Sequence, residues 1–116
     1  MTMTDFERDR HRRERGAIVR ALKQVYSEPM TGVQSLRSVL RILGFALSPK
    51  ALQFHLTFLA ERGYIQIWRA DQMPGYKDEP DSEGAWTPPD EIVFAHLLSS
   101  GLELLDREKV DLKVTV

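Results

Sequence analysis

The chain has 116 residues, 42% of them hydrophobic, which suits one small domain with a single core. Its 16 basic residues nearly balance 17 acidic ones, and a formal net charge of −1 gives no bulk attraction for nucleic acid or an anionic membrane. The absence of cysteine excludes disulfides, thiol chemistry and cysteine-ligated zinc. The polar N-terminus is not a signal peptide, and the apolar run Ile42 to Leu47 is too short to span a bilayer. These features set the expectation of a cytoplasmic protein with no membrane contact.

Charge is unevenly spread. Seven Lys or Arg fall between Arg8 and Lys23, whereas seven carboxylates and one Lys fall between Asp71 and Glu91. Any attraction for DNA must come from the first of these segments or from individual side chains.

In chain order, residues 1–14 form a charged N-terminal extension that frays from, or runs on into, a helix over Phe6 to Tyr26. Ile18, Leu22 and Val25 to Tyr26 make its apolar stripe. Ser27-Glu28-Pro29 ends it, because a residue before proline avoids the helical region. A second helix is expected over Val33 to Leu43, with Leu36, Val39, Leu40 and Leu43 inward and Gly44 as its left-handed cap. The third is the best signalled. Ser48 is a good N-cap, Pro49 suits the first helical position, Leu52, Leu56 and Leu59 point inward, and Gly63 stops the helix.

Tyr64 to Trp68 alternates like a strand. The stretch 71–90, with four prolines and Gly75 and Gly84, is expected to be a long loop. Glu91 to Leu97 resumes a strand that pairs with the first. A last helix over Ser100 to Lys109 turns Leu102 and Leu105 inward, and the tail 110–116 alternates as if extended. The result is an α+β, mainly α, domain over 15–109. Three helices, a two-stranded wing with a long acidic insertion and a C-terminal helix make a winged helix-turn-helix, whose third helix presents its free face to the major groove.

The segment LSPKALQFHLTFLAERGYI resembles the recognition segment of winged-helix regulators of the ArsR and MarR type. The shared residues are Ser48, His55-Leu56, Leu59, Gly63 and Tyr64-Ile65, and Leu98-Ser99-Ser100-Gly101 is similar to the exit from their wing. Arg15 to Leu22, Phe58 to Ile65 and Ser99 to Glu103 also resemble small winged-helix proteins of Mu-like phages. The resemblance implies a sequence-specific DNA-binding protein, a transcriptional regulator of bacterial or phage origin, acting on double-stranded DNA as a homodimer. Dimerisation would use the first helix, the last helix or the tail. The insertion is longer and more acidic than an ordinary wing.

Opposite the leucine stripe, the third helix carries Lys50, Gln53, Phe54, Thr57 and Glu61. Lys50 suits a phosphate or a guanine edge, Gln53 an adenine, and Phe54 and Thr57 a thymine methyl. Ser48 and the helix N-terminus suit a phosphate, as do Arg12, Arg13 and Arg69. Glu61 opposes phosphate. The run RDRHRRERG fits a DNA-tracking arm or a solvated helix face with i,i+4 ion pairs equally well. His55 lies near the inward stripe as a packing residue, and His11 and His96 stand alone, so no metal site is expected.

The alternative is a protein-interaction module that uses the acidic insertion, with Tyr76 and Trp86 as contacts. Glu79, Asp81, Glu83, Gly84 and Asp90 match a calcium loop poorly, because the first and last ligands are of the wrong type and no helices flank it. No phosphate-binding glycine loop, nucleophile elbow or zinc-protease motif is present, so neither an enzyme nor a bound cofactor is expected.

Overall fold

A computed structural model describes residues 4–73 and 89–116. The first helix, α1, runs over Asp5–Gln24 without a break at residue 14, so the charged extension is helix rather than a frayed arm. Thr4 starts it by accepting the Glu7 N–H. Arg15, Ile18, Val19 and Leu22 lie buried on one face, as their spacing requires.

A two-residue strand, β1 (Thr31–Gly32), follows and was not anticipated. Two residues carry no alternating pattern; pairing with a distant strand defines them. Next come α2 (Val33–Ile42) and α3 (Pro49–Glu61). α2 buries Leu36 and Leu40 fully and Val39 and Leu43 in part. Gly44 and Gly63 both take positive φ, +93° and +79°, as left-handed helix stops.

β2 (Ile65–Arg69) and β3 (Ile92–Leu97) pair antiparallel from Ile65 opposite Leu97 to Arg69 opposite Ile92, with a bulge at Trp68/Arg69. β3 also takes β1, with Thr31 opposite Ala95, so the sheet order is β1-β3-β2. The base of the 71–90 insertion is closed by backbone bonds from Ala70 N–H to Glu91 O and from Asp71 N–H to Pro89 O, both 2.9 Å. A short 3-10 turn, Ala70–Gln72, leads into it.

The last helix, α4, is shorter than expected, Ser99–Leu105. It stops where Arg107 takes φ 61°. Its deepest residue is Leu104, with Leu102 and Leu105 only partly buried. The tail is turned rather than extended. Val114 docks on the core, and Thr115 donates its N–H to Arg12 O at 3.0 Å. One core joins α1, α2, α3, the sheet, α4 and Val114. Among the described residues no helix is long and apolar enough to cross a membrane.

Candidate nucleic-acid interface

α3 is held from behind by Leu52, Leu56 and Leu59, all fully buried. Ser48 caps it by accepting the Ala51 N–H at 3.1 Å. With that hydroxyl used, the first turn leaves backbone N–H groups and Lys50 facing solvent. One turn on, Phe54 stands 53% exposed, its ring tilted against His11 at 6.0 Å and His55 at 5.4 Å. A shallow hollow of about 390 Å³ lies between it and His11, Ser48 and Lys50.

One expected contact from α3, Gln53, is committed elsewhere, and the hydroxyl of a second, Thr57, is used within the helix. Gln53 Nε2 donates to the Ile92 carbonyl and Ile92 N–H donates to Gln53 Oε1, each at 2.9 Å. The Gln53 amide therefore holds the start of β3 and has no free edge for adenine. Thr57 Oγ1 donates to the Gln53 carbonyl at 2.9 Å, the back-bonding habit of threonine in helices. Glu61 is exposed at the far end of the helix.

The arginines separate. Arg13 is exposed and pairs with Asp9 at 2.9 Å. Arg12 is half-buried and lines a cleft described below. Arg69 donates to the Asp90 carbonyl at 2.7 Å and so ties the base of the insertion. Tyr76 and Trp86 lie outside the described residues, as do Glu79, Asp81, Glu83 and Gly84.

A feature missed from sequence adjoins α3. α2 begins at Gly32, which offers no capping side chain, so its first N–H groups lack an intrahelical partner. They border a cavity of about 370 Å³ shared with Arg37, Pro49 and the start of β3. Arg37 Nε is buried, with no hydrogen-bond partner among the described residues. The signal was the uncapped TGVQSLR, where a glycine replaces the usual Ser, Thr, Asp or Asn.

The histidines do not stand alone. His96 stacks on Tyr26 at 5.3 Å. His11 meets His55 edge-on at 5.2 Å, and with Glu14 they bring three ligand-type atoms within 4.8 Å of one another. His55 is 1% exposed, as a packing residue should be, but it is also hydrogen-bonded on both nitrogens. Arg15 Nε–H, which can only donate, reaches His55 Nδ1 at 3.3 Å. That leaves the proton on Nε2, where it faces Glu14 Oε1 at 3.1 Å. Burial, with the charges of Arg15 and His11, pushes the His55 pKa down against the opposing pull of Glu14. Arg15, the neutral His55 imidazole and Glu14 thus form a hydrogen-bonded relay between α1 and α3.

No protein-family profile, curated protein or solved structure matches the chain.

Proposed function

We propose that the chain is a winged-helix DNA-binding protein, a transcriptional regulator working as a homodimer on double-stranded DNA. The carrying observation is the pairing of two helix starts on one side. The first turn of α3 offers Lys50 beside exposed Phe54, and the uncapped first turn of α2 borders the same surface at Pro49. Uncapped N–H groups and a positive dipole end suit a backbone phosphate, and Arg37 gives its charge to the same cavity. Lys50 then reaches a base edge or phosphate and Phe54 a thymine methyl. The element order and the β1-β3-β2 sheet support the winged-helix reading. Arg13 extends the phosphate contacts along α1, while Gln53 and Arg69 act as framework. Exposed Val110 and Leu112 on the tail leave apolar surface for a second copy.

The test is selection of duplexes from a random pool, followed by titration at several salt concentrations. Affinity should fall steeply with salt. Lys50→Ala with Phe54→Ala should weaken the selected duplex about tenfold or more, given ~1–3 kcal/mol for a good base contact. Binding that ignores both salt and these substitutions removes α3 from the interface.

A further inference from the structure

Four side chains of α1 form a basic stripe that the DNA reading leaves largely unused. Arg8, His11, Arg12 and Arg15 follow i, i+3, i+4 and i+7 spacing and so share one face. They line a cleft of about 180 Å³ whose other walls are Phe58 of α3 and Lys113 of the tail. Thr115 N–H bonded to Arg12 O fixes the tail wall against α1.

Arg15 is the unusual member. It is 7% exposed and carries a charge. Nε donates to a neutral imidazole, Nη1 to the Lys113 carbonyl at 3.3 Å, and its Cζ lies 3.7 Å from the Phe58 ring centroid. None of these partners is an anion, and among the described residues no carboxylate stands within ion-pair distance. The nearby acids are committed, Glu14 to His55 and Asp111 to Tyr64 and Arg62. Arg62 adds a second cation 4.8 Å from the same Phe58 ring. Burial of a cation with no direct anionic partner is costly. Of the charges nearest Arg15, Arg62 and Arg12 repeat its sign, while Asp111 and Glu14 oppose it from beyond ion-pair distance.

Two ligand classes compete for this region. A divalent metal on His11, Glu14 and His55 would face Arg12, Arg15 and Lys113 with Glu14 as its one carboxylate ligand, and would have to displace the Nε2 proton of His55. An anion meets the opposite field, with guanidinium forks that match a phosphate or carboxylate. A duplex phosphate, carried on a convex surface, is poorly shaped to reach a recessed guanidinium behind the tail. We propose that the cleft of Arg8, Arg12, Arg15 and Lys113 over Phe58 binds a small free oxyanion, either phosphate or the phosphoryl or carboxylate group of a small molecule. Such a ligand bridges α1 to the tail.

The whole chain is titrated with inorganic phosphate, with ionic strength held constant by chloride, and followed by thermal midpoint and amide NMR shifts. The midpoint should rise saturably, with shifts centred on His11, Arg12, Phe58 and Lys113. Arg8→Gln with Arg12→Gln should weaken phosphate about tenfold or more, through loss of charge-assisted hydrogen bonds. Lys113→Ala, on the exposed tail, should weaken it with little effect on folding. Duplex DNA forms the second arm. If the Arg8/Arg12 variant loses duplex affinity while free phosphate gives no saturable response, the oxyanion is a DNA phosphate and the free-ligand assignment is overturned. It is equally overturned if neither probe responds, or if saturation is unchanged in both variants. Lys50→Ala should leave phosphate binding intact, which separates this site from the DNA reading.

Discussion

Gln53 of α3 and Ile92 of β3 exchange two hydrogen bonds, amide to backbone, across 39 residues of sequence. Ile92 is 1% exposed, so both of its backbone groups depend on that side chain or on β2. Gln53→Ala should therefore lower stability by about 1–3 kcal/mol, the usual cost of leaving buried polar groups unpaired. Gln53→Met, which keeps the volume, should do the same. Urea denaturation measures it; unchanged midpoints with reduced duplex affinity would return Gln53 to base reading.

That pair also marks the limit of what the sequence makes legible. Ser48, Pro49, the three leucines and Gly63 specify α3 by local chemistry, and the structure has α3 over Pro49–Glu61. Nothing local distinguishes an outward Gln53 that reads DNA from one that clamps a strand, because its partner lies far along the chain. β1 was hidden for the same reason: Thr31 and Gly32 are a strand only by virtue of Ala95 and Phe94. His11 and His55, 44 positions apart, become neighbours only when α1 packs on α3. The basic stripe of α1 was visible, but not that Phe58 and Lys113 would wall it.

Gly16 sits directly beneath the tail. A Cβ there would lie 1.5 Å from the Thr115 carbonyl oxygen, so the tail must lift if one is added. Gly to Ala inside a helix is otherwise worth ~1 kcal/mol of stabilisation. Undocking Val114 costs more, ~1.5–3 kcal/mol for full burial of such a side chain, and the Thr115–Arg12 hydrogen bond goes with it. Gly16→Ala should thus be net destabilising by about 1–2 kcal/mol, with the tail cleaved early in limited proteolysis. A variant as stable as the parent, with a protected tail, would show that the tail does not dock here.

Tyr64 and Asp111 tie the other end of the tail to α3 and β2. Burial, the hydrogen bond to Asp111 and its charge push the Tyr64 phenol up to about 12. Burial opposes the Asp111 carboxylate, but hydrogen bonds from Tyr64 and Lys113 N–H and the charges of Arg62 and Arg15 bring its pKa below the usual value. A raised phenol contributes stability below its unfolded pKa of about 10 that is lost as pH climbs towards 12. A depressed carboxylate contributes stability above about 4 that is lost as pH falls through its folded pKa. Tyr64→Phe should flatten the alkaline loss and weaken the acid one, seen as denaturation midpoints against pH. Identical profiles for parent and variant would disprove the link.

His55 provides a third pH dependence, of known sign. Its pKa is pushed down, chiefly by burial, so the unfolded chain takes up the proton more readily than the folded one. Stability should be full above about 6.5 and decline as pH falls below it. Protonation at Nδ1 would replace the Arg15 hydrogen bond with a contact between two cations. Glu14→Gln keeps an acceptor for Nε2–H but removes the charge that favours the imidazolium, so it should move the His55 titration further down. Imidazole NMR resolves this directly. The parent should show a neutral ring protonated on Nε2, titrating below 6.5, and the variant one titrating lower still. A ring that titrates at or above 6.5, or carries its proton on Nδ1, would break the relay from Arg15 through His55 to Glu14.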